Sequence, residues 1–216
     1  AQIVHLSGLI AALSESTSQF CLEIARAAKK YGTRVSFDLN YRASFWKGRE
    51  KELREVFTEI ARVADILIGN EEDFTACLGF EVEGNTEDLT ELNLDGYRKM
   101  IGEAIETYPN FKEMATTLRK VKTATVNDWS AMCCVGGEIF KARDYDCLEI
   151  MDRVGGGDSF ASGLIYGLMT TGDPRKAVEY GAAHGALAMT TPGDTSMASL
   201  KEVEKIMSGG GARVVR

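Results

Sequence analysis

No run of apolar residues in this 216-residue chain approaches the roughly 20 needed to cross a bilayer, so a membrane-spanning protein is not expected. Basic side chains are the minority: 25 Lys and Arg against 32 Asp and Glu leave a net charge of −7. That field repels polyphosphate backbones unless basic groups cluster, so nucleic acid is not an expected partner. Histidine is scarce, with only His5 and His184, and neither stands among residues resembling a triad or a zinc site. The five cysteines, Cys21, Cys77, Cys133, Cys134 and Cys147, are an odd number without metal-ligand spacing, and no secretory signal precedes them. They read as reduced thiols in a cytoplasmic protein, with the adjacent Cys133 and Cys134 buried in an apolar run. Two phosphate-binding patterns are also missing: there is neither GxxxxGK[ST] nor GxGxxG after an early strand.

What is present is an ordinary soluble composition, 44% hydrophobic and 26% charged, in a chain long enough to bury a sizeable core. The opening IVHLSG reads as a strand entered mid-fold, without the lead-in of a natural start. Apolar residues then recur at helical spacing from Glu15 to Tyr31, with Ser14 or Ser16 as cap and Gly32 as stop. A strand at Val35 to Asp38, a helix over LREVFTEIARVA, a strand at ILIGN and a helix over EEDFTACLG continue the alternation. This βαβαβα order predicts a mostly parallel sheet covered by helices. The acidic stretch from Phe80 to Asn93 reads as a solvated connection, and LDGYRKMIGEAIETY as a helix. Strands follow at MATTLR and SAMCCV, with a hairpin at Gly136 and Gly137 and a further strand ending at Ile150. The last third is helical, with Asp173 and Pro174 opening one helix. Trp46 and Trp129 are expected in the core or at its rim.

The stretch MDRVGGGDSFASGLIYGL carries the chemistry. Three glycines where a strand passes into a helix let backbone N–H groups converge on an anion, above all a phosphate. Asp158 would repel that anion unless its role concerns a proton. Phosphoryl transfer supplies such a role, in which the carboxylate takes the proton of an attacking hydroxyl while the amides of Gly155, Gly156 and Gly157 stabilise the transferred group. On the bare pattern, an acidic N-cap on a tight loop is an equally good reading.

At these residues, Asp152 through Asp158, the sequence resembles the ribokinase family of sugar kinases, whose signature is D-x-x-G-x-G-D before a small-residue helix. FDLNYR (37–42), IGNEEDF (68–74), TTLR (116–119), VNDW (126–129) and TTPGD (190–194) extend the likeness in order along the chain. The resemblance implies a three-layer α/β fold and ATP-dependent phosphorylation of a small sugar acid, most nearly a 2-keto-3-deoxy aldonate. It implies ATP and Mg²⁺ as cofactors, Asp158 as general base and Gly155 to Gly157 as anion hole. Arg42 resembles the arginine that bridges substrate and nucleotide phosphates, with Asn40 as companion substrate ligand. Arg119, Asn127 and Ala182 fall at nucleotide-contact positions, and Asn70 with Asp73 at a magnesium-organising element acting through water. The sequence departs from that element in placing aspartate where the family has glutamate.

By this resemblance residues 1–216 are one kinase domain incomplete at its N-terminus, lacking the first strands and a small β lid. Exposed sheet edges would then favour association into a homo-oligomer. Two other readings stand beside the first: a family member acting on another sugar or a nucleoside, and an inactive nucleotide-binding module.

Overall fold

The computed structural model describes residues 1–84 and 92–209. The chain is α/β with a mostly parallel sheet, and it divides into two compact units, Ala1–Gly84 with Asn93–Thr116, and Thr117 onward. The middle of the acidic connection expected between Phe80 and Asn93 lies outside the described residues.

In the first unit β1 (Ile3–Ser7), β2 (Arg34–Asp38), β3 (Ile66–Gly69) and the start of β4 (Glu113–Val121) pair in parallel, each with the next. Their register aligns Ser7 with Asp38 and Asp38 with Ile68, so the carboxyl ends of these strands lie at one edge. Ligands of parallel α/β sheets collect at that edge. The helices between them are α1 (Gly8–Ala12), α2 (Glu15–Lys30), α3 (Ala43–Trp46), α4 (Glu50–Ala61), α5 (Glu71–Asp73) and α6 (Leu94–Thr107). Ser14 caps α2 through a reciprocal pair with Thr17, as its position in the sequence leads one to expect. Beyond α5 the chain widens into one π-helical turn, Phe74–Leu78, which Gly79 closes at φ 79°. The core centres on Phe37, Phe57 and Trp46, whose rings meet edge-on at centroid separations of 5.3 and 4.9 Å.

In the second unit β5 (Val126–Val135) pairs antiparallel with β6 (Glu138–Lys141) and β7 (Tyr145–Glu149). Gly136 and Gly137, at φ 59° and 85°, form the two-residue hairpin between β5 and β6. Cys133 and Cys134 are buried on β5, and all five cysteines are free thiols. Helices α7 (Gly156–Thr171), α8 (Pro174–Met189) and α9 (Leu200–Met207) complete the unit. Small residues let α7 and α8 approach closely: a Cβ at Gly163 would stand 2.5 Å from Tyr180 O, and one at Gly167 would stand 2.4 Å from Ala177 Cα. Asp173 caps α8 by accepting a hydrogen bond from Arg175 N at 2.9 Å. No described helix is long and apolar enough to cross a membrane.

Candidate active site

The glycine turn lies in the second unit, where β7 leads into α7. Only Gly155 is left-handed, at φ 82°, and it is the residue that caps α7. Gly156 and Gly157 are the first two helical residues rather than a separate loop, which corrects the reading of three consecutive turn glycines. The first amides of a helix lack intrahelical acceptors, so this placement keeps them available to an anion. Gly156 N donates to Arg153 O at a long 3.4 Å, and no acceptor engages the amides of Gly155 or Gly157 among the described residues. A Cβ at Gly157 would meet nothing within 4 Å among the described residues beyond its own helix and chain neighbours, so the helix end is open on that side. Asp158 follows in the first turn and is exposed.

The turn rests on a structured support. Met151 N and Asp152 N donate to Met189 O at 2.9 and 3.3 Å, and Val154 N donates to Asp152 Oδ1 at 2.9 Å. A Cβ at Gly155 would fall 2.2 Å from Asp194 O, so the segment after α8 backs the turn directly. Arg119, near the end of β4, is half-buried, and its side chain forms no hydrogen bond or ion pair among the described residues.

Asn127, on β5, and Ala182, on α8, are both buried. Asn127 is 1% exposed, and its buried Nδ2 has no hydrogen-bond partner among the described residues. Ala182 is 0% exposed, and its carbonyl accepts from Trp129 Nε1 at 3.0 Å. The indole of Trp129, from β5, thus packs against this stretch of α8.

The first unit gathers four of the expected residues. Asn70 caps α5, and its Oδ1 accepts from Asp73 N at 2.9 Å while Asp73 Oδ2 accepts from Asn70 N at 2.8 Å. Asp73 Oδ1 accepts from Tyr41 N at 2.8 Å, which ties the Asn40–Arg42 segment to the start of α5. Burial pushes the Asp73 carboxyl up to about 6, against the two backbone N–H groups and the nearby Arg42 charge that pull it down. Asn40 takes φ 40°, a left-handed conformation uncommon outside glycine and of the kind that collects at binding sites. Arg42 is exposed, and its Nη1 donates to Tyr41 O at 2.7 Å.

Both oxygens of Asp73 are thus engaged by backbone amides, and no group of three or more His, Cys, Asp or Glu side chains among the described residues could hold a metal. The acidic side chains beside it are Glu71, which accepts from Tyr97 Oη at 3.0 Å, and the exposed Glu72. Such a donor set fits a magnesium ion held mainly by water and phosphate oxygens, not one enclosed by protein ligands.

Residues 1–201 match the profile of the pfkB family carbohydrate kinases. The chain belongs to this family. It is 26% identical over 212 residues to the 2-dehydro-3-deoxygalactonokinase of Haloferax volcanii, covering 98% of this chain and 59% of that protein. It is 28% identical over 211 residues to the 5-dehydro-2-deoxygluconokinase of Clostridium tetani, covering 96% and 55%. Among solved structures, the 2-dehydro-3-deoxygluconokinase of Thermotoga maritima superposes with a TM-score of 0.87 at 39% identity, covering 97% of this chain and 61% of that one. This pfkB chain therefore spans between a half and two thirds of the length of these relatives.

Sequence reasoning missed two features of the pfkB fold as this chain builds it. The tie between Asp73 and Tyr41 joins residues 32 positions apart. His184, which looked isolated in the sequence, is bonded through both ring nitrogens to Ser162 and Ser196.

Proposed function

We propose that this protein transfers a phosphoryl group from ATP to the primary hydroxyl of a 2-keto-3-deoxy sugar acid, most nearly 2-keto-3-deoxygluconate. The single observation that carries the reading is the open helix end at Gly157 with Asp158 one residue further on. The named relatives act on 2-dehydro-3-deoxy and related sugar acids, which favours an acidic acceptor.

In this reading Asp158 accepts the hydroxyl proton as the acceptor oxygen attacks. The amides of Gly155 to Gly157 bind the oxygens of the transferred group, where charge develops in the transition state. The Arg119 side chain, without a partner among the described residues, supplies a charge to nucleotide phosphates. Asn40 and Arg42 bind the acceptor, Arg42 as the planar cation that suits a carboxylate. Asn70 and Asp73 hold that segment in place and face the magnesium ion through water, which when bound offsets phosphate charge. Asn127 and Ala182 stand at the nucleotide-contact positions that the resemblance gives.

The test follows ADP release from ATP and Mg²⁺ over a panel of sugar acids, neutral sugars and nucleosides. Turnover greatest on a 2-keto-3-deoxy aldonate supports the proposal. Turnover confined to neutral sugars or nucleosides overturns the acceptor, and no ADP with any acceptor overturns the kinase reading in favour of a nucleotide-binding module.

A further inference from the structure

His184, on α8, has a partner at each ring nitrogen: Nδ1 lies 3.0 Å from Ser162 Oγ on α7, and Nε2 lies 2.8 Å from Ser196 Oγ in the segment after α8. We assign the direction of each bond by giving the one hydroxyl hydrogen of Ser162 to Ser159 O, at 2.9 Å the shorter of its two contacts, so that its oxygen accepts Nδ1–H. Nε2 is then the bare nitrogen and accepts from the Ser196 hydroxyl, whose oxygen in turn accepts from Ala198 N at 3.3 Å. The result is an unbroken run of donors from Ala198 N–H to the carbonyl of Ser159, the residue after Asp158. Burial lowers the affinity of His184 for a second proton and favours the neutral ring that the run requires.

Both ends of this run reach the glycine turn. Ser159 N donates to Gly155 O at 2.8 Å at one end, and at the other the segment anchored by Ser196 places Asp194 O against Gly155. We propose that His184 is a positioning residue: through Ser162 and Ser196 it fastens the segment 190–198 to the first turn of α7 and so holds the Gly155–Gly157 amides in their aim. It touches no reacting atom. The inference rests on the phosphoryl-transfer reading for its consequence, and not for its geometry.

The geometry is read directly by ¹⁵N-edited NMR of the imidazole rings, which is practical because the chain has two histidines. A neutral His184 ring at neutral pH with its proton on Nδ1, together with displaced Gly155 and Gly157 amide resonances in Ser196→Ala, supports the proposal. A proton on Nε2, or glycine resonances unmoved by the substitution, overturns it. The consequence is read in steady-state kinetics of Ser196→Ala, Ser162→Ala and the double variant, each deleting only a hydroxyl from a folded protein. The expected result is a kcat reduced by about tenfold with KM for ATP unchanged, and a double variant no worse than the worse single one. A merely structural bond would lower the melting temperature and leave kcat intact, and that result overturns the positioning role. If wild-type protein releases no ADP with any acceptor, the kinase reading falls, and the imidazole and glycine resonances still decide for or against the anchoring.

Discussion

Two neighbouring glycines, exchanged one at a time for alanine, separate the fold of the turn from its chemistry. At Gly155 the backbone sits at φ 82°, and an added Cβ would fall 2.2 Å from Asp194 O. An L-residue in the left-handed region costs about 1–2 kcal/mol, and an overlap with backbone that cannot swing aside adds a further 1–3 kcal/mol or so. Gly155→Ala should therefore lose at least about 2 kcal/mol of stability, together with activity. At Gly157 the backbone is ordinary, and among the described residues nothing beyond its own helix and chain neighbours lies within 4 Å of the added Cβ. Gly157→Ala should match the parent in stability or exceed it by up to about 1 kcal/mol, since alanine is the better helix residue. Its methyl group nevertheless occupies the open end at which the phosphoryl oxygens would arrive. Loss of one hole donor costs about 10²–10³ in kcat, so partial obstruction should reduce turnover by about tenfold to a hundredfold. Urea denaturation and an ADP-release assay on the same samples read both quantities. A Gly157→Ala protein of parental stability and parental turnover would refute the claim that these amides take part.

Two further outcomes follow from the electrostatics. The Asp73 carboxyl holds its proton up to about pH 6 in the folded protein, more tightly than in the unfolded chain, so ionising it works against folding. Stability should fall by about 3 kcal/mol as pH rises from about 4 to about 6 and level off above; in thermal melts Asp73→Asn should flatten that slope, and an unchanged slope would contradict the assignment. Among the described residues the Arg119 side chain has no partner to lose. Arg119→Ala should stay within about 0.5 kcal/mol of parental stability while raising KM for ATP about tenfold, and an unaltered KM would remove Arg119 from the nucleotide site.

Hydropathy period and punctuation made most of the architecture legible. The alternation of strand and helix through residue 79, the Gly136–Gly137 hairpin and the Asp173 cap are all present where the sequence places them. The two short helices α1 and α3, of 5 and 4 residues, escape a periodicity argument because neither completes two turns. The glycine turn was legible as a passage from strand to helix, but its division into one left-handed cap and two helical residues was not. That division depends on Asp194, nearly 40 positions further along, and no local pattern announces it. The Asn70–Asp73 pair shows the opposite case. N-x-x-D before an apolar stretch is the spacing of a reciprocal cap, and the structure uses it as one, with the second Asp73 oxygen reaching Tyr41. The packing of Trp129 against Ala182 on α8 was hidden because it is a tertiary contact between residues 53 apart.

The central claim is that Asp158 removes a proton beside an anion-binding helix end, and Asp158→Asn tests it most directly, since the change keeps the size of the side chain and abolishes its basicity. ATP affinity by calorimetry should be unchanged or tighter, while ADP release with 2-keto-3-deoxygluconate should fall by about 10²–10⁴. A variant that turns over as fast as the parent would contradict the account.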